Sequence, residues 1–143
     1  MRFKLMLAIL WAAVIIVATC NNDAEAFLFD QEVQFSLTAA PEYSDLLILN
    51  DIDFTDDFYF LQKTGHFLSF ALLFVLLYTA LKSRKTAFYL IAAFALFTEV
   101  LQLYFERDGR LFDVLIDVAG AFFALALVNV LLTIRKTSAE DSF

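Results

Sequence analysis

The chain of 143 residues is long enough for one ordinary domain, and 62% of its residues are hydrophobic, well above the share in a typical soluble protein. Such a composition leaves too little polar surface to cover the protein in water, so a soluble enzyme is excluded. The net charge of −7 argues against nucleic-acid binding, which needs clustered Lys and Arg. One Cys and one His exclude an intramolecular disulfide and a thiolate zinc cage.

Four apolar runs have the length that a bilayer demands of a helix. They cover residues 5–20, 67–81, 87–105 and 114–134, and we expect each helix to extend a few residues beyond its run. Gly and Pro are scarce, and the strict alternation of a barrel strand is absent. The sequence therefore predicts an all-α, polytopic membrane protein with four transmembrane helices in a small bundle.

The first apolar run has three interpretations. Arg2 and Lys4 precede it, and Ala24-Glu25-Ala26 follows it, which is also the pattern of a cleavable signal peptide. Cys20 lies in a context that loosely resembles a lipidation site. We favour an uncleaved anchor, with cleavage after Ala26 and lipidation of Cys20 as the alternatives.

The segment from 21 to 62 is acidic, with ten carboxylates and no Lys or Arg. We expect a loosely ordered extracytoplasmic loop, with a short interfacial helix as the alternative, since Phe27–Phe29 and a stretch after Pro41 are apolar. This loop is also a candidate contact for a membrane-protein partner. Thr55 followed by Asp56 and Asp57 predicts the start of the second membrane helix, with a capping hydroxyl and carboxylates in its first turn.

The positions of the basic residues predict the orientation in the membrane. Seven of the ten Lys and Arg residues flank one end of the four runs, and only Lys63, Arg107 and Arg110 flank the other. Cytoplasmic loops carry the excess of Lys and Arg. We therefore expect both termini in the cytoplasm of a bacterial membrane protein.

Polar residues inside the runs gather at one depth, near the predicted outer end. Glu99 and Gln102 share a face at i, i+3 spacing, and Asp113 and Asp117 share one at i, i+4, with Gly120 continuing that face. Because a buried ionisable group in lipid is costly, these residues call for a partner or a function. We predict that they converge on an outward-facing polar chamber. Its candidate ligand-binding residues are Lys63, His66, Glu99, Gln102, Arg107, Arg110, Asp113 and Asp117.

Three short elements in this pattern resemble motifs of the VanZ-like family of small bacterial membrane proteins. An Asp-Lys-x-x-His-Phe element matches at Lys63, His66 and Phe67, although Gln62 replaces the carboxylate. A Glu-x-x-Gln element matches Glu99 and Gln102. An Arg-x-Gly loop leading into Asp-x-x-x-Asn/Asp-x-x-Gly matches Arg107, Gly109, Asp113, Asp117 and Gly120.

The resemblance covers roughly residues 62–128 and implies a four-helix protein of the cell envelope, linked to glycopeptide or other antimicrobial susceptibility, teicoplanin in particular. Together with the apolar runs and the charge pattern, it divides the chain into a first transmembrane helix (1–20), an acidic extracytoplasmic loop (21–62), a VanZ-like three-helix membrane domain (63–134) and a cytoplasmic tail (135–143). The resemblance implies no established reaction and no cofactor.

Two main functional hypotheses follow. In the first, the chamber binds membrane lipid or a lipid-linked cell-wall precursor, with basic residues on a phosphate or carboxylate. In the second, His66 and a carboxylate form the acid–base pair of a membrane enzyme, with Glu99, Asp113 and Asp117 as catalytic candidates that also hold a divalent ion. Because no metal motif or catalytic motif of known chemistry is present, we expect binding rather than catalysis, and no metal. A structural subunit of a membrane complex is a further alternative.

Overall fold

A computed structural model describes residues 2–50 and 52–140. Asp51, one of the ten acidic residues of the 21–62 segment, lies outside the described residues, as does the end of the predicted tail at 141–143. The described chain forms five α-helices, α1 to α5, and one 3-10 turn, and it contains no strand. In order these are α1 (Arg2–Cys20), α2 (Ala24–Phe29), the 3-10 turn (Tyr43–Leu47), α3 (Asp57–Leu81), α4 (Arg84–Tyr104) and α5 (Leu111–Glu140).

Four of these helices, α1, α3, α4 and α5, are long and apolar enough to cross a bilayer. Of the 18-residue apolar stretch in each helix, between 22% and 39% is buried inside the protein. Most of the apolar side chains therefore face away from the protein core, as expected where lipid is the solvent. The all-α prediction with four transmembrane helices is confirmed.

Helix α3 occupies the middle of the bundle and packs against α1, α4 and α5. The core includes Phe70 and Phe74 of α3, Ile91 of α4, and Ala121 and Ala124 of α5. A hydrogen bond from Trp11 Nε1 of α1 to the Ser69 carbonyl oxygen, 3.0 Å long, joins α1 to α3. Small residues on α5 let it approach the large aromatic residues of α3 closely.

The connections define two ends of the bundle. At the basic end, α3 and α4 are joined by Lys82, which has a left-handed backbone conformation, and by Ser83, whose hydroxyl caps α4. At the other end, which we call the acidic end, lie the long connection from α1 to α3 and the loop 105–110 from α4 to α5.

The start of α3 shows how the sequence sets a helix boundary. The Asp56 carboxylate caps α3 by accepting hydrogen bonds from the Phe58 and Tyr59 N–H groups at 2.8 and 3.0 Å. The helix begins where expected, but Thr55 is not its cap, because the Thr55 hydroxyl donates to Asp53 Oδ1 at 2.6 Å instead. An extended backbone at Asp56 places its carboxylate over the first turn.

Candidate functional site

One ion pair and one histidine–carboxylate contact join α3 to α5 at the acidic end. Lys63 Nζ lies 2.7 Å from Asp113 Oδ2, and His66 Nδ1 lies 3.2 Å from Asp117 Oδ1. The matching repeats, i, i+3 on α3 and i, i+4 on α5, place both pairs along one helix contact. Lys63 also lies over the Tyr59 ring, 4.6 Å from its centroid. All four charged or ionisable groups are largely withdrawn from solvent.

Gly120 determines how α3 and α5 are aligned along this contact. A Cβ atom at Gly120 would collide with the carbonyl oxygen of Phe67, so the backbones of α5 and α3 touch at this point. Phe67 directly follows His66, and Gly120 lies one turn after Asp117. The close approach of the two backbones therefore brings His66 and Asp117 within contact distance.

Glu99 of α4 is held by the loop that leads into α5. Its Oε2 accepts a 2.9 Å hydrogen bond from the Arg110 N–H, and its Oε1 accepts one of 3.2 Å from Gln102 Nε2. Gly109 makes the first contact possible, because a Cβ there would collide with the Glu99 carbonyl oxygen. Glu99 is fully buried, and its carboxylate points into the bundle beside α3 and α5.

The Arg110 side chain connects the site to the acidic segment through polar contacts. Its guanidinium donates to the carbonyl oxygen of Asp45, in the 3-10 turn, at 3.1 Å. It also pairs with the exposed Asp108 carboxylate at 3.2 Å. Arg110 is thereby buried in a cover formed by the loop 105–110 and the 3-10 turn.

Arg107 lies between the end of α1 and the site. Its guanidinium donates to the carbonyl oxygen of Asn21, and in the described part of the chain it pairs with no carboxylate. Burial lowers the pKa of the Arg107 guanidinium from its ordinary value, but an arginine remains charged at neutral pH. It is a half-buried cation that is bonded to no anion among the described residues.

The structure therefore brings the eight predicted residues to one end of the bundle. Six of them line a polar cavity of about 240 Å³, which we call the polar cavity. Its lining comprises Ile52, Tyr59, Gln62, Lys63, His66, Gln102, Arg107, Asp108, Arg110, Phe112 and Asp113. Glu99 and Asp117 are buried beneath this lining, next to His66. Their role in ligand binding stays a prediction.

A second cavity, the apolar groove, was not predicted from the sequence. It has a volume of about 330 Å³ and lies between α1, α2 and the first half of α3, where its apolar walls include Ile15, Phe27, Leu28, Phe58 and Leu68. The apolar run Phe27–Phe29 was the signal that pointed to it. The groove shares three residues with the polar cavity, namely Gln62, His66 and Arg107.

Asn21 is a further feature that was not predicted from the sequence. It is fully buried, and its side chain donates to the Asp23 and Glu32 carbonyl oxygens and accepts from the Gln34 N–H. Asn22 adds hydrogen bonds to Ser36 and Phe105. These hydrogen bonds therefore hold the segment after α1 against the loop 105–110. Two Asn residues at a helix end, which satisfy backbone groups there, were the available signal.

Comparison with known proteins agrees with the motifs. A family model described as VanZ/LLP1 matches residues 4–132, nearly the whole chain. The chain belongs to the VanZ-like family. This VanZ-like chain is 37% identical over 110 residues to "Uncharacterized membrane protein YwnJ" of Bacillus subtilis (strain 168), a match that covers 77% of this chain and 79% of that protein. No solved structure matches.

The family match extends the similarity beyond the three motif-bearing helices. It includes α1 and the acidic segment, whereas the motifs alone covered residues 62–128. Together with four apolar helices and a relative that is a membrane protein, it shows that this VanZ-like chain is a multi-pass membrane protein.

Proposed function

We propose that this VanZ-like protein binds an amphipathic ligand, a membrane lipid or a lipid-linked cell-wall precursor, with its anionic head group in the polar cavity and its chain in the apolar groove. In this proposal the acidic end faces the outside of the bacterial membrane, and binding alters susceptibility to glycopeptides such as teicoplanin. The observation that carries it is the position of Arg107, a cation that lines both cavities and forms no ion pair with another described residue.

Charge favours a phosphate-bearing head group. Lys63 and Arg110, the other cations of the polar cavity, already pair with Asp113 and Asp108. Arg107 uses one donor on the Asn21 carbonyl oxygen, and a guanidinium has five donors, so it retains donors for a bidentate contact to phosphate. Partial burial strengthens such a contact, since the guanidinium has already lost part of its hydration.

Shape favours a lipid rather than a free phosphate compound. The apolar groove begins at His66 and Arg107 and continues along Leu68 and Ile15, which belong to membrane-spanning helices. A hydrocarbon chain lying there would remain at the depth of the bilayer core while its head group reached the polar cavity. Burial of each CH₂ group contributes about 0.8 kcal/mol relative to water.

Binding can be tested with purified protein in detergent, using native mass spectrometry with phosphatidylglycerol, phosphatidylcholine and a polyprenyl phosphate. Arg107→Gln should weaken binding of the anionic lipids by roughly 10–150-fold, the equivalent of about 1.5–3 kcal/mol for a charged hydrogen bond. Arg107→Lys should retain part of the affinity. Arg135→Gln is the matched control, because Arg135 is exposed on α5 at the basic end. Equal affinities of wild type and Arg107→Gln would contradict the proposal.

Orientation is tested separately by labelling introduced cysteines with a membrane-impermeant maleimide in intact cells. Cys20 is buried, so it leaves a low background. The exposed positions Glu32 and Lys85 lie at opposite ends of the bundle. Glu32→Cys should be labelled in intact cells and Lys85→Cys only after lysis; the reverse pattern would invert the proposed topology.

The link to resistance is tested by comparing teicoplanin susceptibility in cells that lack the protein and in cells complemented with wild type, Arg107→Gln or Arg135→Gln. Wild type and Arg135→Gln should restore the same susceptibility, and Arg107→Gln should not. Identical susceptibility with and without the protein would remove the glycopeptide part of the proposal.

One observation supports catalysis as a second candidate function. His66 contacts the buried Asp117 carboxylate at 3.2 Å, and it lines both cavities, the arrangement of an oriented general base. Under this hypothesis His66→Gln retains lipid affinity but loses the cellular effect. A pure binding function predicts that affinity and effect change together.

A further inference from the structure

Three helices each supply one metal-ligating side chain to a single buried point. His66 of α3, Glu99 of α4 and Asp117 of α5 each offer one ligand atom, and these atoms lie within 4.8 Å of one another. Glu99 and Asp117 are fully buried. The grouping depends on tertiary packing, since the three residues are separated by 33 and 18 positions in the sequence.

The group is rich in acceptors and poor in donors. Asp117 Oδ2 is buried and has no hydrogen-bond partner among the described residues, and the same holds for Asp113 Oδ1 nearby. Each Glu99 oxygen accepts one hydrogen bond and keeps a second lone pair. A carboxylate oxygen buried in an apolar bundle without a partner costs free energy that a bound cation would recover.

The basic side chains near the group contact other partners, and Arg107 donates to the Asn21 carbonyl oxygen rather than to Glu99 or Asp117. Lys63 pairs with Asp113, and the Arg110 guanidinium contacts Asp108 and the Asp45 carbonyl oxygen. In the described part of the chain, no Lys or Arg forms an ion pair with Asp117 or Glu99. Two buried carboxylates and a histidine thus remain for a ligand that carries positive charge.

We propose that His66, Glu99 and Asp117 bind one divalent transition-metal ion, of the type of Zn²⁺ or Mn²⁺. One imidazole nitrogen with carboxylate oxygens suits these ions, whereas Ca²⁺ prefers six to eight oxygens. Bond lengths of about 2.0–2.2 Å place tetrahedral ligand atoms about 3.4 Å apart, close to the 3.2 Å between His66 Nδ1 and Asp117 Oδ1. Glu99 offers the third ligand atom within 4.8 Å of the other two.

The surroundings match those of protein metal sites. Gln102 and the Arg110 N–H donate to the two Glu99 oxygens and fix the orientation of that carboxylate. With three protein ligands, a tetrahedral ion keeps one open position. His66 also lines the polar cavity, so the metal site adjoins the place where an anionic head group would lie under the proposed function. The ligand set differs from the one that the sequence suggested, because Asp113 is taken by Lys63 and His66 replaces it.

The test is the metal content of full-length protein purified in detergent without added chelator, followed by removal of metal and titration with Zn²⁺, Mn²⁺, Mg²⁺ or Ca²⁺. Wild type should carry about one transition-metal ion per chain. Zn²⁺ or Mn²⁺ should raise the melting temperature of the stripped protein, and Mg²⁺ and Ca²⁺ should not. The absence of both effects in wild type overturns the proposal, whatever the variants do.

Variants assign the site. Glu99→Gln and Asp117→Asn should weaken metal affinity at least as much as loss of an outer-shell partner, which costs 10–100-fold. The matched control is Glu106→Gln, a change of the same type at an exposed residue of the loop 105–110. If Glu99→Gln fails to fold, Co²⁺ substituted into wild type reports a nitrogen and oxygen ligand set by its visible spectrum. Unchanged affinity in both site variants, or a Co²⁺ spectrum without a nitrogen ligand, overturns the assignment.

Discussion

Replacement of Gly120 by Ala tests whether close contact between α3 and α5 builds the site. The new Cβ would collide with the Phe67 carbonyl oxygen, a backbone atom that is fixed by the α3 helix and cannot rotate away. Gly65→Ala is the matched control, since a Cβ at Gly65 meets no atom within 4 Å. Both glycines are helical, so the gain in helix propensity on going to Ala, about 1 kcal/mol, is common to both.

The difference between the two variants therefore isolates the collision. Overpacking of a tight contact costs about 1–3 kcal/mol. We expect Gly120→Ala to be less stable than Gly65→Ala by that amount, because α5 must move away from α3. The same movement lengthens the contact between His66 and Asp117.

The assay is thermal unfolding in detergent, followed by tryptophan fluorescence and by the loss of monodisperse protein. Trp11 reports directly on the α1–α3 contact, since its indole N–H bonds to α3. Gly120→Ala should melt below both wild type and Gly65→Ala. Equal melting of the two variants would refute the view that backbone contact at Gly120 sets the register of the site.

Three further predictions concern the polar contacts. Lys63→Met leaves Asp113 as an uncompensated buried charge and should cost about 3–5 kcal/mol in thermal unfolding, whereas a cost below about 1 kcal/mol would show that water replaces the ammonium. Asn21→Ala should speed limited proteolysis of the acidic segment, because the replaced side chain bonds three backbone groups; an unchanged rate would contradict its role. Hydrogen bonds from Thr55, its hydroxyl first, hold the pKa of Asp53 below its ordinary value, so this contribution to stability is present at neutral pH and lost as pH falls through the folded-state pKa. Thr55→Val should raise the pKa of Asp53 in a carboxyl-carbon NMR titration, and an unshifted titration would refute the contact.

The membrane helices were predictable because their determinants are local. Apolar runs of sufficient length set the four spans, and Asp56 with Asp57 set the start of α3. The remaining error at this boundary was the identity of the cap. Asp53 competes for the Thr55 hydroxyl, and this competition depends on the turn geometry before the helix.

For the candidate site, the sequence predicted which residues share a helix face, but not which faces meet. Helical spacing places Asp113 and Asp117 together, and likewise Glu99 and Gln102. Which residue of α5 meets His66 depends on helix rotation, which spacing does not define. The packing surface that begins at Gly120 carries this information, because the close backbone contact with Phe67 of α3 turns this side of α5 toward α3. Spacing also missed the apolar groove, whose walls form only when α3 packs against α1 and α2.

Whether the first apolar run is retained as an anchor or cleaved matters for the proposed function, because α1 forms part of the apolar groove. Cleavage after Ala26 would remove Ile15, which forms a wall of the apolar groove, and Asn21, whose carbonyl oxygen accepts from Arg107. It would also remove Trp11, the hydrogen-bond donor to α3. Lipid binding as proposed therefore requires α1 to remain attached as an anchor.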